Sequence, residues 1–275
     1  MPMRIGLSDG VVRIEVDPAI GRLMTLERVD AEHAPLLADN REEAESLGPT
    51  SWLNYGGDWL WPVRQQDWPL WGVPKKWPPP PDFAGKAWEL KMGPRTHPYI
   101  ELQLEIGAPL HIRVLRRFHF DPEAPGDLIV DQSIKRIAPS AIPVCLWQVA
   151  QLRAVEQIRV ERLPDPDFPE PLAHLYGTED PLPSLVQANE MVIYRTGAVS
   201  TKLGSNGSWI EAWNDQLGLR IELEEQAGLE PLPLVLFEAS DHSYIEIETL
   251  SIRSELPVGE SIRNRLRYRI LEAND

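Results

Sequence analysis

The chain has 275 residues, 43% of them hydrophobic and 25% charged, which is the balance of a folded globular protein and not of a disordered one. Its 42 acidic and 27 basic residues leave a net charge of −15, which argues against nucleic acid and anionic membrane surfaces as partners. The lone cysteine, Cys145 in "IPVCLWQV", has no partner for a disulfide, and its apolar neighbours predict a buried, inert thiol.

In chain order, "MPMRIGLSDG" lacks the apolar core of a signal peptide and no later window reaches the length of a membrane span, so a cytoplasmic protein is expected. "VVRIEV" (11–16) reads as a strand closed by the turn "DPAIG", and "ADNREEAESLG" (38–48) is the one plausible helix. The stretch "NYGGDWLWPVRQQDWPLWGVPKKWPPPP" (54–81) holds five tryptophans, with prolines at 62, 69, 74 and 78–81. Proline fixes φ and removes backbone donors, so ordered loop or polyproline-like chain is expected there, turned by Gly56 and Gly57. If "DWLW" is extended, Trp59 and Trp61 face the same side.

Beyond it, "YIELQLEI" (99–106) alternates cleanly, with Ile100, Leu102, Leu104 and Ile106 on one face. "LHIRVLRRFHF", "LIVDQSIKRI", "VCLWQVAQL", "EMVIYRT", "LRIELE", "LPLVLFEA" and "SYIEIETL" continue the series, separated by turns such as "DPEAPGD", "APSAIP" and "GSNGS". The last strand, "IRNRLRYRI", puts Arg263, Arg265, Arg267 and Arg269 on one face, either gripping an anion or pairing with Glu-rich neighbours such as "ELEE"; the second is favoured. The proline-rich run Leu163 to Ser184 reads as a long connection inside one domain spanning 1–275, because similar strands lie on both sides. The expected fold class is all-β: large antiparallel sheets packed face to face, a β-supersandwich.

Two groups of residues could carry chemistry. Trp59, Trp61, Trp68 and Trp71, next to Asn54, Asp58 and Arg64, suit a sugar ring, whose C–H faces stack on indole while its hydroxyls need donors and acceptors. The bland alternative is that these rings cork the end of a sandwich. In "SYIEIETL", Glu246 and Glu248 share a strand face, where each raises the proton affinity of the other and favours a general acid or base, unless the face is simply solvated. No histidine or cysteine spacing suits a metal, and no phosphate loop or nucleophile elbow occurs, so no metal and no cofactor is expected.

"VVRIEVDPAIGRLMTLE", "NYGGDWLWP", "IKRIAPSAIPVCLWQVAQL" and "YIEIETLSIRSELPVGESIRNRLRYRI" together resemble, in that order, the galactose mutarotase-like (aldose 1-epimerase-like) superfamily, in particular its DUF4380-type branch. "NYGGDWLWP" is similar to the Gly-Gly-x-x-x-Trp-Pro segment of the hexose-phosphate epimerases. The resemblance implies a sugar groove on the concave face of one sheet. It also implies a general base at Glu246 of Glu-x-x-Thr, closed by Thr249. Where the family has its two histidines this chain has Trp147, expected with the following Gln148 to bind the substrate, and the histidine-free "WPPPPDFAG"; His97 is the nearest substitute. Three readings follow: a protein that holds a sugar or glycoside in a Trp-rich groove, a mutarotase with Glu246 as base and His97 or Glu248 as acid, or a non-catalytic module whose Trp/Pro loop docks another protein.

Overall fold

In the computed structural model the period-two alternation becomes two large sheets in which every paired strand is antiparallel to its neighbour. Residues 3–30, 36–42, 54–72, 79–80, 86–167, 172–177, 185–188, 191–197, 200–226, 228, 230–239 and 243–272 are described.

The nine-stranded sheet begins with β1 (Ile5–Ser8), β2 (Val12–Asp17), β3 (Arg22–Arg28) and β4 (Asp58–Trp61). It continues through β9 (Trp147–Leu152), β18 (Ile245–Leu250), β17 (Leu234–Glu238) and β14 (Thr201–Ser205) to the edge strand β11 (Ala173–Gly177). The ten-stranded sheet runs β12 (Leu185–Ala188), β13 (Met191–Arg195), β10 (Gln157–Glu161), β15 (Trp209–Trp213) and β16 (Leu217–Gln226). It is completed by β19 (Ser261–Glu272), β8 (Leu128–Arg136), β7 (Ile112–Phe120), β6 (Ile100–Ile106) and β5 (Glu89–Met92).

Strand register decides which side chains share a face. Leu23, Asp58, Ala150, Ile247, Leu236 and Leu203 form one row across the nine-stranded sheet, each at most 1% exposed, and this row looks toward the other sheet. Opposite lie Phe118, Val130, Leu266 and Tyr268, fully buried in the same core.

Three departures from the sequence expectation have physical reasons. The proline-rich run after Leu163 contains β11, because "AHLYG" is a proline-free window that pairs with β14. The tryptophan stretch is not all irregular: β4 is followed by a 3₁₀ helix, Gln65–Trp71, with Pro69 inside it and Gly72 ending it in the left-handed region at φ 82°. Of the expected helix at 38–48, Arg41 and Glu42 are helical and the remainder from 43 lies outside the described residues, as do Trp52 and Trp77. The arginine row is a paired, partly exposed face: Arg265 lies 2.7 Å from Asp131, Arg267 2.7 Å from Asp121, and Arg269 2.8 Å from Asp127.

Candidate functional site

The face of the nine-stranded sheet turned away from the core carries the unusual chemistry. Two rows cross it: Trp59, Val149, Glu248 and Val235, and beside it Gln151, Glu246, Phe237 and Lys202. Trp61 and Trp147 pair in a third row. The shared parity of Trp59 and Trp61 holds, with ring centroids 6.2 Å apart in an edge-to-face arrangement.

The indoles do not form an open platform. Trp68, from the 3₁₀ helix, lies over this face with its ring 5.7 Å from Trp61 and stacked on Trp147 at 6.5 Å, and its Nε1 donates to the Val63 carbonyl at 3.2 Å. Trp59, Trp61, Trp68, Trp71 and Trp147 are all 9% exposed or less. The concave groove of sugar-facing tryptophans expected from the sequence is here a packed aromatic cluster. The described part of the loop presents Leu70 to solvent and buries Trp59, Trp61, Trp68 and Trp71.

The carboxylates are not solvated either. Glu248 is fully buried, accepting a hydrogen bond from Trp147 Nε1 at 2.7 Å and pairing with Lys202 Nζ at 2.9 Å; the Lys202 ammonium also sits 5.1 Å above the Trp147 ring. Glu246 is half-buried, and among the described residues its one hydrogen-bond donor is Gln151 Nε2 at 3.1 Å. Its proton affinity is pushed up, to a pKa of about 8, by burial first and by the Glu248 charge second, against the pull of Lys202, Gln151 and Arg22.

Gln151 is itself held from the other side. Gly56, at φ 73°, lies so close to the chain at Ala38 that a Cβ there would stand 2.1 Å from the Ala38 carbonyl oxygen. This approach brings residues 36–40 alongside β9, where Ala38 N donates to the Gln151 carbonyl at 2.8 Å and Asn40 Nδ2 to Gln151 Oε1 at 3.2 Å. Arg22 completes the wall, with its guanidinium carbon 4.1 Å over the Trp59 ring and 5.6 Å over that of Tyr55.

Of the residues singled out from sequence, Glu246, Glu248, Trp59, Trp61, Trp68 and Trp147 come together on this face. Four others do not. Asp58 and Gln148 have the opposite parity and point between the sheets, where Asp58 pairs with Arg116, accepts from Gln148 Nε2 and accepts from Tyr268 Oη at 2.9 Å. Arg64 is engaged by Glu230 at 2.6 Å and donates to the Ser251 carbonyl at 2.9 Å. His97 is exposed in the turn between β5 and β6, at the edge of the other sheet, 3.3 Å from Thr96 Oγ1. The structure therefore does not bring His97 to Glu246. Asn54 is half-buried, next to Tyr55, and Trp71 is buried at the end of the 3₁₀ helix. Cys145 is buried as expected, and desolvation pushes its thiol up to about 12.

Arg22, Asn40, Gln151 and Lys202 were not anticipated. Gln151 was readable, since it shares the parity of Trp147 along β9; Lys202 comes from a strand with no local signal. Among the described residues no group of three His, Cys, Asp or Glu side chains could hold a metal, and no helix is long and apolar enough to cross a membrane.

Two large antiparallel sheets in this order define the galactose mutarotase-like β-sandwich, and solved structures of that kind superpose over nearly the whole chain. A galactose mutarotase-like protein from Lactobacillus casei matches 98% of this chain and 100% of its own at 9% identity, with a TM-score of 0.66. Galactose 1-epimerase from Lactobacillus acidophilus matches 98% of this chain and 94% of its own at 15% identity and a TM-score of 0.60. The GalM/aldose epimerase homologue from C. elegans matches 98% and 99% at 9% identity and a TM-score of 0.58. At such identities the likeness shows the fold alone. No family model and no curated protein matches the sequence.

Proposed function

We propose that the outer face of the nine-stranded sheet binds an aldose or a derivative of one, with Glu246 as the base that takes the proton of the anomeric hydroxyl. One observation carries this: Glu246 is a partly exposed carboxylate on an otherwise buried aromatic and polar floor, with a pKa moved to about 8. A base works best with its pKa near the working pH, and few surface glutamates meet that condition. The likeness to galactose mutarotase-like and galactose 1-epimerase structures supports a sugar as ligand by analogy of fold. Assignment to the DUF4380-type branch rests on the order of the sequence motifs alone.

Mutarotation opens the C1–O5 bond as the anomeric O–H loses its proton and the ring oxygen gains one; rotation about C1 and reclosure give the other anomer. The chain supplies Glu246, oriented by Gln151, for the first transfer. Glu248 is bound by Trp147 and Lys202, so its role is to hold negative charge beside Glu246 and not to exchange protons with a ligand. Among the described residues no imidazole stands near Glu246, and this favours as second reading a face that holds the sugar without efficient turnover.

Polarimetry on freshly dissolved D-galactose and D-glucose tests the proposal. The expected result is a rate above buffer that rises with pH through about 8 and is lost in Glu246→Gln. Saturable sugar binding without a rate would select the second reading. Neither rate nor binding with any hexose would refute both.

A further inference from the structure

Arg22 is a buried cation that forms no ion pair among the described residues. It is 2% exposed, and among those residues its one hydrogen bond goes to the Gly56 carbonyl at 2.6 Å. Of the nearby carboxylates, Asp17 is committed to Arg41 and Asp58 to Arg116, while Glu246 acts on Arg22 through space without an ion pair. An unpaired buried guanidinium costs several kcal/mol, on the order of 3–5 where a partner has been removed. Burial accordingly lowers the proton affinity of Arg22, to a pKa of about 9.

Beside it, Trp59 is 6% exposed and its Nε1 has no hydrogen-bond partner among the described residues. Both side chains line the same cavity, of about 10 Å³, which is room for a single oxygen atom. Its other walls are Ile20, Gly21, Leu60, Trp61 and the pyrrole edge of Trp88, which adds no acceptor. Trp88 reaches that position only because residue 21 is glycine, since a Cβ there would lie 2.0 Å from the indole nitrogen. The lining thus offers two kinds of donor and no side-chain acceptor. What fits is an acceptor atom that carries negative charge and is small; a tetrahedral phosphate with its three terminal oxygens does not fit the space.

We propose that Arg22 and Trp59 form a carboxylate subsite, and that the ligand of the adjoining Glu246 face is a sugar acid, an aldose bearing a carboxylate. The second half rests on the sugar reading of that face; the first does not. One carboxylate oxygen enters the cavity and accepts from Arg22 and from Trp59 Nε1. β4 and β18 are separated by β9 alone, so Trp59 and Glu246 stand about two strand spacings apart, roughly 10 Å. A pyranose ring with a hydrogen bond at each end spans that gap, which places the anomeric carbon at Glu246 when the carboxylate is at Arg22.

Two measurements separate the halves. In thermal unfolding, sodium formate is expected to raise the Tm of the wild type saturably above a sodium chloride control of equal ionic strength, and to lose this effect in Arg22→Met and in Trp59→Phe. In calorimetry, D-galacturonate is expected to bind about tenfold or more tightly than D-galactose, with the ratio falling toward one in both variants. Trp59→Phe keeps an aromatic ring while removing the indole N–H together with its five-membered ring, so it carries the comparison should Arg22→Met fail to fold. Absence of a formate effect in the wild type overturns the subsite whatever the sugars do. Formate stabilisation with equal affinity for the two sugars overturns the sugar-acid assignment and leaves the sugar face standing. Formate stabilisation without any sugar binding overturns the assignment together with the sugar face, and leaves a site for a small free carboxylate.

Discussion

Asp58→Asn isolates the polar contact at the centre of the core. Asp58 is fully buried and meets three donors: the Arg116 guanidinium, Gln148 Nε2 and, at 2.9 Å, Tyr268 Oη. Arg116 is equally buried and donates in addition to the Asp58 carbonyl at 3.0 Å and the Gly21 carbonyl at 3.3 Å. Asparagine keeps the shape and most of the acceptor capacity, so the substitution removes one charge and little else. What remains is an uncompensated guanidinium between two sheets, and breaking a buried pair from one side costs about 3–5 kcal/mol. For a chain of this size roughly 2–4 °C of Tm accompanies each kcal/mol, so a fall of about 10 °C is expected. Urea unfolding followed by tryptophan fluorescence measures the loss directly. Replacing both partners, Asp58→Leu with Arg116→Met, should recover most of it, because an apolar pair carries no desolvation penalty. The reasoning fails if Asp58→Asn costs less than about 1 kcal/mol, a typical surface value. It fails also if stability is intact while sugar binding is lost, since Asp58 would then face a ligand.

The raised pKa of Glu246 makes a linkage prediction. The folded state holds its proton up to about pH 8 while the unfolded state releases it near the ordinary carboxylate value, so the contribution of Glu246 to stability is complete below about pH 4.5 and is lost as pH rises to about 8. Glu246→Gln should therefore gain stability relative to wild type across that window, by at most about 1.4 kcal/mol per pH unit, in urea titrations at pH 5, 6.5 and 8. Lys202→Met removes a charge that favours ionised Glu246, so the pH dependence of wild-type sugar turnover should move to higher pH. Trp68→Ala should cost about 3–5 kcal/mol in unfolding experiments, as for a large core side chain, because Trp68 is 1% exposed. Lower sugar affinity at unchanged stability would instead make Trp68 a ligand platform.

Much of the sheet framework was legible because strand faces obey a period of two. "YIELQLEI", "LRIELE" and, apart from Asn264, "IRNRLRYRI" alternate, and all but Tyr99 fall inside strands that bury most of their apolar row. The same parity paired Glu246 with Glu248 and Trp59 with Trp61. What a single strand does not reveal is which of its faces meets the other sheet. Asp58 and Gln148 looked like hydroxyl-binding groups beside tryptophans, yet adjacent residues in a strand point to opposite sides, and the buried guanidinium that takes Asp58 arrives from β7, in the other sheet. Arg22 and Lys202 were unreadable for a related reason. Lys202 finds Glu248 from a different strand, Arg22 forms no ion pair among the described residues, and only the strand order brings them to one wall.

Strand order also explains how two glutamates on one face acquire different roles. Both side chains leave β18 on the same side, and an isolated strand would treat them alike. Glu248 sits in the row that ends at Trp59, with Trp147 and Lys202 in reach, and those two donors hold it in place. Glu246 sits one row further along, where the floor opens and Gln151 donates through an amide that is itself held by Asn40. The fixed charge of Glu248 then acts on Glu246 through a poorly solvated gap, raising its proton affinity without competing for its proton. Environments that push two neighbouring carboxylates apart are the usual basis of acid–base assignment. Here the difference comes from what lies beside each residue: β9 supplies an indole N–H to one and an amide to the other, and the β14 lysine pairs directly with Glu248 while acting on Glu246 only through space.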